Sequence, residues 1–126
     1  MKLLVVDDSS IIRKIIKAAA DVLQMETVEA QDGIEALEKL AESYREIDLV
    51  LLDWNMPEMS GYDVLVDIKT NDRYKHIPVM MVTTEGQKSN IVAAVRAGAD
   101  NYLTKPFTVE ELQSKISECV SEEEDY

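Results

Sequence analysis

The chain has 126 residues, 46% of them apolar and 6% aromatic, which suits one domain with an ordinary core and leaves no room for a second. Thirteen Lys and Arg stand against 25 Asp and Glu, a formal net charge of −12, so duplex DNA and anionic membranes would repel it. The one cysteine, Cys119, cannot form an internal bridge, which excludes a disulfide-stapled secreted fold and fits a reducing cytoplasm.

Short apolar runs alternate with stretches whose apolar residues recur every three or four positions, the rhythm of strand followed by helix. Leu3-Leu4-Val5-Val6 reads as a strand, and Ile11, Ile12, Ile15, Ile16, Ala19, Val22 and Leu23 as the apolar side of the helix after it. A second unit joins Thr27 to Ala30 with a helix carrying Ile34, Leu37, Leu40 and Ala41, across the turn Gln31-Asp32-Gly33. The third strand, Asp48 to Asp53, leads through Trp54 to Ser60 into a helix with Tyr62, Leu65 and Ile68, where Ser60 and Asp63 have capping-box spacing. The fourth unit runs from Pro78 through Val79-Met80-Met81-Val82 to a helix with Ile91, Val92 and Val95, closed by Gly98. The fifth is Asn101 to Lys105, then Pro106, then a second capping box, Thr108 to Glu111, opening a helix with Val109, Leu112, Ile116 and Val120. No run approaches the length of a membrane span or a signal-peptide core. Five such units imply an α/β fold, a parallel sheet covered by helices on both faces. Residues 1–121 form this domain, and the clustered charge of 122–126 reads as a solvated acidic tail.

Asp7 and Asp8 end the first strand, Asp53 the third, Thr83 the fourth and Lys105 the fifth. In open parallel sheets ligands bind at the carboxyl ends of strands, so these five residues are expected to share a cleft. Three carboxylates there repel one another unless a cation lies between them, and an all-oxygen set suits Mg²⁺ or Mn²⁺. Each residue also has a plainer reading. Asp7 and Asp8 before Ser9 and Ser10 could simply open a helix, Asp53 could be a turn residue, and Thr83 an ordinary strand residue. The coincidence of all five at strand ends favours a site. His76, the sole histidine, sits in a polar loop without a catalytic partner, and Cys119 reads as a core thiol.

In combination the acid pair Asp7-Asp8, the segment Asp53-Trp54-Asn55-Met56-Pro57-Glu58-Met59-Ser60-Gly61, the strand end Val82-Thr83-Thr84, Ala97-Gly98-Ala99, and Tyr102 followed by Lys105-Pro106-Phe107 resemble the receiver domain of bacterial two-component response regulators, from Lys2 to about Val120. Within that family the chain is most similar to the stand-alone chemotaxis regulators. The resemblance implies a flavodoxin-like, doubly wound sheet in the order 2-1-3-4-5 with five helices. It implies that Asp53 is the phosphoacceptor for a phosphoryl group carried on a kinase histidine, and that Asp8 and Asp53 ligate Mg²⁺, with Asp7 acting through water and Asn55 through its backbone carbonyl. Lys105 would neutralise the phosphoryl oxygens, Thr83 would hydrogen-bond to the attached group, and Lys105-Pro106 would be cis. Thr83 and Tyr102 would switch the surface of helix 4, strand 5 and helix 5, although Tyr102 also reads as a half-buried strand aromatic. Lys88, Ile91 and Lys115 fall where chemotaxis members meet partners, while an apolar Ile91 also reads as core. Asn55 and Glu85 would tune dephosphorylation.

The implied partners are a histidine kinase and a flagellar motor switch protein or other downstream target, with the regulator itself a monomer. A phosphorelay intermediate, or a receiver belonging to a longer regulator, fits the same residues. An aspartyl-nucleophile phosphatase would need a second Asp two residues beyond Asp53, where Asn55 stands, and in a flavodoxin-like electron carrier Asp7-Asp8 would repel the flavin phosphate.

Overall fold

The computed structural model of the chain describes residues 1–121; the acidic tail expected at 122–126 lies outside the described residues. In chain order the elements are β1 (Lys2–Val6), α1 (Ser10–Val22), β2 (Glu26–Ala30), α2 (Gly33–Ser43), β3 (Leu49–Leu52), α3 (Gly61–Thr70), β4 (Val79–Thr83), α4 (Lys88–Arg96), β5 (Asn101–Thr104) and α5 (Val109–Ser121). The five strands form one parallel sheet in the order β2-β1-β3-β4-β5, as the resemblance implied. Among the described residues no helix is long and apolar enough to cross a membrane.

Strand alternation divides the core in two. Leu3, Val5, Leu49, Leu51, Met80, Val82 and Leu103 meet α1 and α5 on one face of the sheet. Leu4, Val6, Val50, Leu52, Val79 and Met81 meet α2, α3 and Ala94 of α4 on the other. Both faces of the central strands are therefore buried, which explains their unbroken apolar sequences. Cys119 is a buried thiol in the first of these layers.

Local chemistry starts and stops the helices, at Ser60, Thr108 and Gly98 as expected and at Ser9 and Asp32 besides. Ser9, Asp32 and Ser60 each accept a hydrogen bond from the backbone N–H three residues on. At α5 the capping box is complete: the Glu111 N–H donates to the Thr108 hydroxyl at 3.0 Å and the Thr108 N–H donates to the Glu111 carboxylate at 2.9 Å. Gly98, at φ 109°, turns the chain out of α4 through bonds from its own N–H to Val95 and from the Ala99 N–H to Ala94.

Some helix faces differ from the apolar pattern. On α1, Ile12, Ile16, Ala19 and Ala20, with Leu23 at its C-cap, turn inward, while Ile11 is 69% and Val22 72% exposed and Ile15 faces solvent beside them. The seven apolar residues form two stripes, and the sheet covers only one. On α2 the buried positions are Gly33, Ala36 and Leu40, with Ile34 and Ala41 outside. On α3 Val64 joins Leu65 and Ile68 inside, and Tyr62 is only half-buried, stacked on Trp54 with ring centroids 5.4 Å apart. On α4 the fully buried residue is Ala94; Ile91 is half-buried, and Val92 and Val95 are exposed. On α5 Val109 is exposed and Cys119 takes a core place with Leu112, Ile116 and Val120.

Strand ends also shift by a residue. β2 begins at Glu26, whose N–H bonds to the Met1 carbonyl, while Asp48, Asp53 and Lys105 stand just outside β3 and β5. Asp48 instead accepts a hydrogen bond from the Lys2 N–H at 2.9 Å.

Candidate functional site

Asp7, Asp53 and Lys105 each follow the last residue of a strand, and each backbone N–H still reaches the neighbouring strand. Asp7 bonds to the Ala30 carbonyl, Asp53 to Val6 and Lys105 to Thr83, at 3.1, 3.0 and 2.9 Å. The sheet thus fixes three of the expected site residues at its carboxyl edge, where β1 and β3 lie side by side and the chain winds off in opposite directions.

Asp7 and Asp53 are buried, at 2% and 6% exposure, and Thr83 is fully buried, whereas Asp8 is exposed. Carboxylate oxygens of Asp7, Asp8 and Asp53 lie within 4.8 Å of one another. The Lys105 ammonium reaches Asp7 Oδ2 at 2.7 Å and Asp53 Oδ2 at 3.3 Å. All five expected residues therefore meet in one cleft.

Burial pushes the Asp53 carboxyl above the usual carboxylate range; the Thr83 hydroxyl and the Lys105 charge oppose that rise, and the Asp7 charge adds to it. Burial works against the Lys105 ammonium too, but its hydrogen bond to Asp7 and the Asp53 charge outweigh it and leave its pKa above the ordinary value. Three carboxylates against one ammonium leave a formal charge of −2, which one divalent cation balances. The donors are hard oxygens at a solvent-open edge, and they fit Mg²⁺ or Mn²⁺.

Three supports were not legible from spacing. The Ser9 N–H donates to Asp7 Oδ1 at 2.9 Å and fixes that carboxylate. The Arg13 guanidinium donates to the Asp7 carbonyl at 2.7 Å while paired with Glu29 at 2.9 Å, tying α1 and β2 to the cleft. Asn90 of α4 donates to Glu85 Oε2 at 3.1 Å. Of the three, only the first had a residue-type signal, because an Asp side chain commonly accepts from the backbone N–H two residues on.

Asn55 and Glu85, expected separately at the rim, are bonded to each other: Asn55 Nδ2 donates to Glu85 Oε1 at 2.8 Å. The Asn55 N–H also points to Asp53 Oδ1 at 3.4 Å, and the Glu85 N–H to the Thr83 hydroxyl at 3.3 Å. The Tyr102 hydroxyl donates to the Glu85 backbone carbonyl, and its ring packs half-buried against the core beside α4. Burial, then the charges of Glu85 and Asp53, raise the pKa of that phenol. The Lys105-Pro106 peptide bond is cis.

The family model of the response regulator receiver domain matches residues 3–117. The chain belongs to this family. Chemotaxis protein CheY1 of Helicobacter pylori is 47% identical over 117 residues, an alignment covering 92% of this chain and 94% of that protein. The crystallised chemotaxis protein CheY4 of Vibrio cholerae is 32% identical, superposes with a TM-score of 0.87 and shares 94% of this chain and 97% of its own. The Mn²⁺-bound form of the response regulator Rcp1 is 27% identical at a TM-score of 0.83, with 94% of each chain aligned. Receivers are signalling modules. As a receiver, this chain carries its Asp, Thr and Lys residues on the edge of the sheet where the strand order reverses.

Proposed function

We propose that this receiver is a chemotaxis regulator of the cytoplasm that takes a phosphoryl group from a kinase histidine onto Asp53 and thereby changes its affinity for a downstream target such as a flagellar motor switch protein. The observation that carries this reading is the Lys105 ammonium set between Asp7 and the buried Asp53, with Asp8 completing the acidic cluster. The names of the relatives support the pathway, and a single, buried cysteine suits a reducing compartment.

In the transfer an Asp53 carboxylate oxygen attacks phosphorus, the bond from phosphorus to imidazole nitrogen breaks, and the freed nitrogen takes up a proton. The product is an acyl phosphate, which water returns to carboxylate and inorganic phosphate. Lys105 binds the phosphoryl oxygens, and the Thr83 hydroxyl donates to them once the group is attached. Asp7, Asp8, Asp53 and the Asn55 backbone carbonyl would hold Mg²⁺, or Mn²⁺, which when bound supplies further positive charge against those oxygens. An aspartyl phosphatase is disfavoured, because the position that should supply a second acid is Asn55, whose amide is spent on Glu85.

Output runs through Thr83 and Tyr102. Both meet Glu85, one at its N–H and one at its carbonyl, so a Thr83 hydroxyl drawn to a phosphoryl group releases the Glu85 N–H and moves the loop that holds Tyr102. The ring already lies inward in this structure, and phosphorylation raises the population of that arrangement and of the α4–β5–α5 surface that goes with it. Lys88, Ile91, Val92 and Val95 of α4, and Lys115 of α5, present that surface.

Incubation with acetyl phosphate and Mg²⁺ should add one hydroxylamine-labile phosphoryl group at Asp53, with none in Asp53→Asn and a sharply reduced yield in Asp8→Asn. Undiminished labelling of Asp53→Asn would refute the assignment.

A further inference from the structure

Helix α4 is held on the domain more loosely than its neighbours. Ala94 is its one fully buried residue, and its N-cap, Gln87, makes no side-chain capping bond. Asn90 sits in the first turn, where asparagine is a poor helix former, and its amide does not serve its own helix. It reaches back past the exposed Gly86 to Glu85 Oε2 at 3.1 Å. The other carboxylate oxygen, Oε1, accepts from Asn55 at 2.8 Å. Each oxygen of Glu85 thus has an amide donor, one from the phosphoacceptor loop and one from α4.

The Glu85 backbone is bound as well, its N–H to the Thr83 hydroxyl and its carbonyl by Tyr102. Of the groups that hold Glu85, only Asn90 has been given no part in phosphoryl transfer or output. We infer that Asn90 is a positioning residue: its amide draws the Glu85 carboxylate back towards α4 and keeps it from the path of the water that hydrolyses a phosphoryl group on Asp53. This rests on Asp53 being the phosphoacceptor. A Glu side chain has three rotatable bonds, so with one donor lost it sweeps over the mouth of the cleft. There it brings an uncompensated negative charge and obstructs the in-line approach that hydrolysis requires. Because Asn90 stands on α4, a partner that moves this helix also changes the lifetime of the signal.

The test is the first-order decay of acyl phosphate after acetyl phosphate is removed, measured with Mg²⁺ present on the full chain. Asn90→Ala should decay about threefold more slowly than wild type, a modest change in barrier of the size one surface hydrogen bond supplies. Asn90→Gln, which keeps the amide, should return to within about twofold of wild type. In a Glu85→Ala background, Asn90→Ala should have no further effect, since the group it positions is gone. Thermal unfolding of each variant separates positioning from general loosening of α4. A lowered melting temperature with wild-type decay would overturn the inference, as would faster decay in Asn90→Ala or an undiminished effect without Glu85. Absence of label on wild-type Asp53 would overturn the phosphoacceptor reading and this inference together, whereas normal labelling with unchanged decay in Asn90→Ala overturns this inference alone.

Discussion

Gly61→Ala should unfold at markedly lower urea concentration than wild type, with a loss of about 3 kcal/mol or more. A Cβ added at Gly61 would lie 1.9 Å from the Asp53 carbonyl oxygen and 2.9 Å from the Trp54 Cα. These are backbone atoms and cannot swing aside as a side chain would. The Gly61 N–H also donates to the Trp54 carbonyl at 2.8 Å, so the start of α3 is locked against the segment carrying Asp53. Relief of the clash must move residues 53 and 54, and the Asp53 carboxylate with them, so labelling by acetyl phosphate should fall along with stability. Gly86→Ala is the control. Its Cβ would approach only the Thr104 Cγ2, at 3.1 Å, on an exposed loop, and should change stability by about 0.5 kcal/mol at most. Equal unfolding midpoints for Gly61→Ala and Gly86→Ala would show that the close approach of α3 to the Asp53 carbonyl is unimportant.

The second large effect is expected from Lys105→Ala in divalent-free buffer. Removal of the ammonium leaves the Asp7 and Asp53 carboxylates buried without the cation that pairs them, and breaking a buried pair from one side typically costs about 3–5 kcal/mol. The pH dependence has a definite sign. Asp53 already has a folded pKa above its ordinary 3.8, so its contribution to stability is full below that value and is lost as pH rises through the folded pKa. Without Lys105 that rise is larger, and the variant should recover stability relative to wild type as pH falls from neutral towards 4. Mg²⁺ should recover part of the loss at neutral pH, as expected of a cation held by the folded Asp7, Asp8 and Asp53 cluster. The variant is expected to accept label, since Asp53 is intact, yet to show no gain in partner affinity on phosphorylation. A full gain in affinity would remove Lys105 from the switch, and a wild-type urea midpoint across pH 4 to 8 would show that its pairing with Asp7 and Asp53 contributes nothing to stability.

Much of this arrangement is legible in the chain. The central strands are buried on both faces and so read as uninterrupted apolar runs, and a polar residue ending such a run has to be at an edge. That logic alone places Asp7, Asp53, Thr83 and Lys105 at the edge of the sheet. Strand order is different: no residue pattern separates one parallel order from another, and the order came from resemblance. Helix faces are less legible still. Seven apolar residues of α1 satisfy helical spacing, yet Ile11, Ile15 and Val22 form a stripe that the sheet never covers. On α4 the small Ala94 joins the core, while the larger Val92 and Val95 stay exposed. The bonds from Asn90 to Glu85 and from Arg13 to the Asp7 carbonyl depend on loop and side-chain paths that carry no periodic signal.

The central claim is that chemistry at Asp53 is transmitted through Thr83 and Glu85 to Tyr102 and α4. It is tested most directly by backbone amide NMR spectra recorded with Mg²⁺, before and after addition of beryllofluoride as a phosphoryl mimic. The account predicts shifts at Thr83, Glu85, Tyr102 and along Lys88–Arg96 in wild type and none in Asp53→Asn. Shifts confined to residues 7–9 and 53–55, with Tyr102 and α4 unmoved, would contradict it.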